Sequence, residues 1–533
     1  MAVPAYTNDL TNLIEDADTT AWTEITAWNN GGAPDESDTE SALQGTNTVS
    51  QSTNTVAEFS MVRILGTPVT LSSGYVFLVW HGHGVATALG SYANGGLRLL
   101  VATDVTNWKS WDVGGNDTPP FPYGKWVNNP IDPTLTPDDS LGTPPTTNYY
   151  GVGSAGILTK VVFKGQPHVC DIIRYGRAEA RIYRGSEADG YATFSGFAAA
   201  NDASTAKWGL IQATDGGYLW KGLMTLGYSE AVDFRDSNKT IFVQDTRKVS
   251  SGFNKIEIRQ ALSRVDWTGI SLVCLSPTTT ASKGAFEVID NADVNFDNCS
   301  FTDLTTFIFQ SNSTVANTVF RRCGQITPAG ANMSTSTVEG FEGTADTAAL
   351  VWDVNTNTNG LLDNMSFTKG TAATHAIELG TTSPTAVTFN GISFSGYNAS
   401  NGQSDSTILV SRTTGTVTIS ITGGGDTPSY KSAGATVVIS SSVNVTVTIK
   451  NQAGDAIPGV QVAIFEDDTA RTVILVSTST DENGEVATSA PSGTGAIIIR
   501  ARQSTNIASF LTSESTSNGI ESSTEQVNFS SNH

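Results

Sequence analysis

Two short phrases of the sequence place a cysteine and a methionine in the same slot. Residues 296–301 read FDNCSF, and residues 362–367 read LDNMSF. A thiol at Cys299 is a potential nucleophile or metal ligand. Met365 in the matching slot cannot replace it in either role, so the repeat favours a packing role for Cys299. A disulfide to a neighbouring repeat and a reactive thiol are the open alternatives.

Histidines supply one local pattern with metal-ligand spacing. In WHGHG, His81 and His83 alternate along a predicted strand and so belong to one face, which suits two metal ligands. Because no acid or cysteine is adjacent, polar residues at a strand end beside a glycine turn are the alternative. His168 and Cys170, in QPHVC, have the residue types of a thiol catalyst, but alternate residues of one strand seldom form the attacking pair. We predict no catalytic, cofactor-binding or metal residues here.

Aspartates form the third candidate set. Asp293, Asp297 and Asp303 lie close together in the chain, and Asp363 repeats Asp297 in the later phrase. Hydrolysis of a glycan needs two carboxylates about 5 to 10 Å apart. The alternative is structural, because acids at chain corners solvate a turn and bond to backbone amides.

The repeated phrase predicts the element that carries these residues. Its first and fourth residues are both apolar, although an unbroken strand would place them on opposite faces, so the chain must bend between them. Glycine and asparagine dominate the third place, and they enter the left-handed region at least cost. The aligned phrases are WTGISL from Trp267, FDNCSF from Phe296, FRRCGQ from Phe320, LDNMSF from Leu362 and FNGISF from Phe389.

A bend in every coil predicts a right-handed parallel β-helix over residues 230–440, with equivalent side chains stacked in columns. The corner positions are Gly269, Asn298, Arg322, Asn364 and Gly391. The buried column that follows them is Ile270, Cys299, Cys323, Met365 and Ile392. The wide gap between the third and fourth phrases predicts one degenerate coil near Val338 to Phe341.

Four further segments complete the predicted organisation. Residues 1–50 form an anchoring segment with a helix over 7–22, where Leu10, Leu13 and Ile14 have helical spacing. Residues 51–229 form an antiparallel β-sandwich with a proline-rich arm at 113–150, which we expect to lie against other protein copies. Residues 441–511 form a small β-sandwich, and residues 512–533 form a polar tail. The predicted fold class is therefore all-β.

Composition excludes several classes of protein. The chain has 533 residues and a net charge of -22, so direct binding to nucleic acid is disfavoured. The N-terminus lacks the basic and apolar regions of a signal peptide, and no apolar run is long enough to span a membrane. Four scattered cysteines without a CxxC pair favour reduced thiols and folding in a cytoplasm. We predict no cofactor.

The C-terminal sandwich resembles a known module type. Its segment from Gly454 to Gly459 reads GDAIPG, and Thr480 to Gly484 supplies a later T-x-x-x-G turn. These features resemble the carboxypeptidase-regulatory-like or transthyretin-like immunoglobulin modules. The resemblance covers about 80 residues and implies a fold without an activity.

The order of the segments resembles that of bacteriophage virion structural proteins. The resemblance implies a non-enzymatic tail appendage, tail fibre or capsid decoration protein, assembled in the host cytoplasm. The implied partners are other virion proteins, further copies in a homotrimer, and a host-surface glycan in attachment. A glycan-degrading tailspike with polysaccharide hydrolase or lyase activity on the β-helix is the first alternative, and a bacterial surface adhesin is the second.

Overall fold

The computed structural model describes nineteen stretches of the chain. They are residues 6–8, 12–15, 22–23, 34–38, 46–51, 57–72, 75–83, 97–112, 126–154, 168–176, 179–182, 192–202, 211–244, 254–275, 283–451, 453–466, 469–491, 497–502 and 523–528. The chain divides into two compact units. Unit 1 comprises residues 1–314 and 318–326, and unit 2 comprises residues 315–317 and 327–533.

The first part of unit 1 is built from strands. They are β1 (Tyr6–Asn8), β2 (Asn12–Glu15), β3 (Trp22–Thr23), β4 (Pro34–Asp38), β5 (Thr48–Gln51), β6 (Ala57–Thr70), β7 (Val76–His83), β8 (Leu97–Asp104), β9 (Asn107–Asp112), β10 (Trp126–Ile131), β11 (Asp139–Leu141), β12 (Thr146–Ser154), β13 (His168–Gly176) and β14 (Glu179–Ile182). Two antiparallel sheets account for most of them, in the orders β10-β7-β13-β5-β4 and β11-β9-β8-β12-β6-β3. Alternating apolar residues such as Val62 and Leu100 supply a buried cluster between them in sequence.

The helix predicted over residues 7–22 is wrong for the described residues of that stretch. β1 pairs with β14, and β2 pairs with β13, both antiparallel. The stretch is rich in Thr, Asn and Asp, which have poor helix propensity, and isolated short helices are marginal. Pairing with an existing strand satisfies the backbone instead.

The proline-rich segment 113–150 lies partly within the sheets. From residue 126 onward it supplies β10, β11 and the start of β12. Pro130 pairs with Leu78 on β10, an edge strand of its sheet, where a missing N–H is tolerated. Residues 113–125 lie outside the described residues, so the expected contact of the arm with other copies stays a prediction.

The helix α1 (Phe194–Asp202) is the one helix among the described residues, and it precedes the coils. The hydroxyl of Thr193 accepts a hydrogen bond from the Gly196 amide at 3.1 Å, which caps the helix N-terminus. The ring of Phe194 lies 5.0 Å from that of Phe234 and 5.3 Å from that of Trp267. α1 therefore closes the apolar interior of the first coils, as terminal caps do in repeat folds. No helix among the described residues has the length and apolarity to cross a membrane.

Short parallel strands follow α1 through both units. They are β15 (Ile211–Thr214), β16 (Gly217–Trp220), β17 (Leu223–Leu226), β18 (Asp233–Ser237), β19 (Thr240–Gln244), β20 (Lys255–Ile258), β21 (Arg264–Thr268), β22 (Ser271–Leu275), β23 (Ala285–Val288), β24 (Asp293–Asp297), β25 (Ser300–Thr302), β26 (Thr306–Ile308), β27 (Ser313–Ala316), β28 (Val319–Arg321), β29 (Ile326–Thr327), β30 (Thr337–Glu339), β31 (Ala348–Trp352), β32 (Ser366–Thr368), β33 (His375–Leu379), β34 (Ala386–Asn390), β35 (Ser393–Ser395), β36 (Ile408–Val410), β37 (Thr416–Thr422) and β38 (Tyr430–Ser432).

These strands stack as the coils of a parallel β-helix, which confirms the all-β class. In unit 1 the stacks run β14-β17-β20-β23-β26, β16-β19-β22-β25-β28 and β18-β21-β24. In unit 2 they run β31-β33-β36-β38, β30-β32-β35 and β34-β37-β39. Parallel pairing thus begins at Glu179–Ile182, before the predicted boundary at residue 230.

The predicted corner residues all have left-handed backbones. The φ angles are 65° at Gly269, 52° at Asn298, 48° at Arg322, 57° at Asn364 and 66° at Gly391. A left-handed residue turns the chain so that the apolar residues on both sides of it face inward. In unit 2, β30 pairs with β32 and supplies the extra coil expected between the third and fourth phrases.

One register in the predicted column is wrong. Phe320 pairs with Phe301 and not with Phe296. The residue that follows the Cys299 slot in the next coil is therefore Thr318, whose neighbour Val319 donates its amide to the Cys299 carbonyl at 3.0 Å. Cys323 belongs to a different corner. The reason is that this coil is shorter than its neighbours, so alignment on its first aromatic residue shifts the phrase.

The C-terminal part of unit 2 is a two-sheet sandwich. Its strands are β39 (Thr436–Lys450), β40 (Gln461–Glu466), β41 (Val473–Ser479), β42 (Glu485–Pro491), β43 (Ile497–Arg502) and β44 (Ser523–Asn528). β39 pairs with β42 and β44, while β40 pairs with β41 and β43. A shared core includes Val447 and Ile464, both fully buried. β39 also pairs with β37 of the β-helix and runs across the predicted boundary at 440/441.

Candidate functional site

The cysteines among the described side chains are buried and free. Cys299 and Cys323 are each 2% exposed, and neither they nor Cys274 forms a disulfide. Burial raises the pKa of Cys299 to about 11 and that of Cys323 to about 12. A thiol that keeps its proton at neutral pH is a poor nucleophile and ligand, so packing is the role that fits both residues.

The histidine candidates occupy the N-terminal sheets. His81 and His83 lie at the end of β7, and His168 and Cys170 lie at the start of β13. The two strands are antiparallel neighbours, and His168 pairs with His83 while Cys170 pairs with His81. The backbone of these residues is described and their side chains are not.

Two of the predicted aspartates have structural roles. Asp303 has a left-handed backbone and binds the Arg322 guanidinium through both oxygens, at 2.9 and 2.6 Å. Asp363 accepts hydrogen bonds from the Gly360 amide and from the Asn390 side chain, both at 2.7 Å. These carboxylates hold corners together, which is the structural alternative weighed for them.

The other two aspartates belong to a larger set that we call the acid grid. It consists of the outward-facing residues of β18, β21 and β24, whose alternate residues Phe234, Val265 and Val294 are fully buried. Pairing of the three strands aligns them in rows. The members are Asp233, Arg235, Ser237, Arg264, Asp266, Thr268, Asp293, Asn295 and Asp297.

Asp266 occupies the centre of the acid grid. Its Oδ2 accepts an ion-pair contact from Arg264 Nη2 at 2.6 Å and lies 3.7 Å from Arg235 Nε. Its Oδ1 is buried and has no hydrogen-bond partner among the described residues. A buried carboxylate oxygen without a donor is unusual, and a catalytic role or a bound ligand group is one physical reason for it. The hydrogen bond with Asp266 raises the pKa of Arg264.

Asp293 and Asp297 differ in their grid neighbours. Asp293 pairs with Arg264, whose Nε lies 4.0 Å from its carboxylate. Asp297 pairs with Thr268, and its nearest grid neighbour on β24 is Asn295. A neighbouring cation favours the ionised form of a carboxyl group. Within the grid, Asp297 is therefore better placed than Asp293 to hold a proton.

A second outward set of charges lies on β14, β17, β20 and β23. Glu179 accepts from Arg181 at 2.7 Å and from Thr225 at 2.5 Å. Glu257 binds Lys255 at 2.7 Å and Arg259 at 2.8 Å. Since cations and hydroxyls already engage these carboxylates, the set is an ion-pair ladder with less capacity to bind a reacting group than Asp266 has.

Sequence reasoning named Asp293 and Asp297 but missed Asp266 and Asp233. The signal was present in VDFRDS, RVDWT and DVNFD, where charged residues alternate with apolar ones on successive strands. Stacking such strands in parallel brings the charges into one surface. Among the described residues, no group of three or more His, Cys, Asp or Glu is arranged to hold a metal ion.

Comparisons with known proteins give one match. No protein-family model and no curated protein matches the chain. The chain is similar to the solved catalytic domain of a GH87 alpha-1,3-glucanase in complex with tetrasaccharides, at 11% identity and a TM-score of 0.20. The match covers 83% of this chain and 86% of the other. It is to an enzyme domain, which contradicts the prediction that the chain is not an enzyme, and that prediction is withdrawn. At this TM-score it assigns no activity or residue to the chain.

Proposed function

We propose that this chain is a tailspike-type protein of a bacteriophage virion that hydrolyses a surface polysaccharide on the acid grid. The observation that carries the proposal is Asp266, an outward carboxylate with one oxygen bound by arginine and the other without a donor. Its neighbours include further carboxylates on the adjacent coils, and glycoside hydrolysis requires such a pair.

The spacing of Asp266 and Asp297 suits an inverting reaction. They lie on neighbouring strands, two residues apart in register, because Thr268 pairs with Asp297. With strands about 4.8 Å apart and about 6.6 Å between alternate residues, the diagonal is about 8 Å. Inverting glycosidases hold their carboxyl groups about 6.5 to 9.5 Å apart, which leaves room for a water molecule.

The two carboxyl groups would have different roles. Arg264 stabilises Asp266 as a carboxylate, so its Oδ1 accepts a proton from the attacking water as general base. Asp297 then donates a proton to the leaving glycosidic oxygen as general acid. The Arg264 side chain, 46% exposed, must shift to admit the sugar, and Arg235 retains the Asp266 carboxylate.

Reducing-end release from bacterial capsular and lipopolysaccharide glycans tests this activity. We expect Asp266→Asn and Asp297→Asn to lower the rate at least about 100-fold, in line with the loss of a general acid or base. Asp290→Asn, which removes an exposed charge from the turn before β24, is the matched control and should retain the rate. Equal rates in Asp266→Asn and the control, or no release from any glycan of the panel, would contradict the proposal.

The virion part of the proposal rests on the order of the modules. An N-terminal sandwich precedes a β-helix, and an immunoglobulin-type sandwich follows it, in keeping with a particle-bound shaft assembled as a homotrimer. Sedimentation equilibrium of the purified chain should give three times the mass of one chain. Immunogold labelling of particles should place the chain on the virion, and labelling confined to the cell envelope would favour the adhesin alternative.

A further inference from the structure

The backbone pairing of β7 with β13 brings together four residues that are far apart in sequence. His83 lies directly opposite His168, and His81 lies directly opposite Cys170. The register is regular over these residues, because the shift in the pairing begins after Cys170. The arrangement is therefore a two-by-two block of positions on neighbouring antiparallel strands.

The four positions belong to one face of the sheet. Residues directly opposite each other in an antiparallel pair share a face, and so do residues two apart on one strand. Opposite positions have Cβ atoms about 4.5 to 5.5 Å apart, and alternate positions are about 6.6 Å apart. The block is thus small enough for one ion to be reached from all four positions.

The residue types in this block are those that bind zinc. Neutral imidazoles and a thiolate are typical ligands of Zn²⁺, at about 2.0 to 2.1 Å for nitrogen and about 2.3 Å for sulfur. The whole chain has five histidines and four cysteines, and three of those histidines share the block with one cysteine. Such concentration of scarce ligand types is what singles out this block from the rest of the sheet.

We infer that His81, His83, His168 and Cys170 form a structural Zn²⁺ site that ties β7 to β13. Four protein ligands complete a tetrahedral site and leave no position for substrate, so the ion stabilises the fold and takes no part in chemistry. Binding requires the thiolate of Cys170, so the thiol proton passes to the solvent as the sulfur–zinc bond forms. The inference is independent of the proposed function of the acid grid.

Zinc content of the full chain is the first test. After treatment with a chelator, equilibration with ZnCl₂ and gel filtration, we expect one Zn²⁺ per chain. His83→Ala and His168→Ala should each weaken Zn²⁺ binding at least about tenfold, whereas His533→Ala, at the last residue, should not. With Co²⁺ as the probe, the native chain should show a thiolate charge-transfer band that Cys170→Ser abolishes. Unchanged affinity in both histidine variants would overturn the site.

A second measurement uses the unaltered chain and so does not depend on the folding of variants. Alkylation of Cys170, located by peptide mapping, should slow at least about tenfold when ZnCl₂ is present, because a coordinated thiolate is protected. The buried Cys274 provides an internal reference whose slow alkylation should not respond to Zn²⁺. Equal alkylation of Cys170 with and without Zn²⁺ would refute the inference.

Discussion

The left-handed corner at Asn364 gives a quantitative test of the β-helix register. Its φ is 57°, its amide donates to the Asn390 carbonyl at 2.8 Å, and its side chain is exposed. Asn364→Val places a β-branched residue in this region and should cost about 1 to 2 kcal/mol of unfolding free energy. Asn364→Gly relieves the same strain and adds only backbone freedom to the unfolded chain, so it should be nearly neutral.

Thermal and urea unfolding of both variants measures the difference. For a unit of roughly 200 residues, about 1 to 2 kcal/mol corresponds to a melting temperature lower by about 2 to 8 °C. The matched control is Thr368→Val, an exposed position at the end of β32 outside the left-handed region, which should leave the stability unchanged. Equal stabilities of the valine and glycine variants at residue 364 would refute the assigned corner.

Three further predictions follow from contacts described by the structure. Gly391→Ala should destabilise unit 2 more than Gly402→Ala, since both have positive φ but only the first brings a Cβ to 2.2 Å from the side-chain oxygen of the corner asparagine; paired melting curves check this. The native chain should alkylate Cys299 slowly at pH 8, where its raised pKa of about 11 keeps the thiol protonated, and all four cysteines should titrate as free thiols after non-reducing denaturation. The hydrogen bond from Lys369 lowers the pKa of Asp405, so its stabilisation is complete above about pH 4 and is lost as the pH falls through the folded pKa; Lys369→Met should therefore flatten the fall in melting temperature on acidification.

The corners of the β-helix could be predicted because their cause is local. A left-handed residue between two inward-facing apolar residues leaves a recognisable phrase, and Gly269, Asn298 and Gly391 were found from it. The register at Cys323 could not be found in the same way, because the length of one coil depends on how it stacks against Phe301. Thr318, a polar residue in a buried slot, gives no apolar signal in the sequence.

The leading segment and the acid grid failed for related reasons. Leu10, Leu13 and Ile14 have helical spacing, but partner strands about 160 residues later in the chain decide the conformation of the segment. Asp266 becomes notable only when β18 and β24 flank it in space. Local patterns do not contain such long-range pairings, whereas they do contain the bend of a corner.

Strand β39 has a mechanical consequence for the C-terminal end of unit 2. Residues Thr436–Ser441 pair in parallel with β37, and residues from Ser442 onward pair antiparallel with β42. The two modules thus share one continuous strand and have no hinge between them. Tension applied to the sandwich would load both ladders of β39 along the strand, where many hydrogen bonds resist together in shear. The last coil and the sandwich should therefore yield under load as one element, and proteolysis should not separate them at residues 440 and 441.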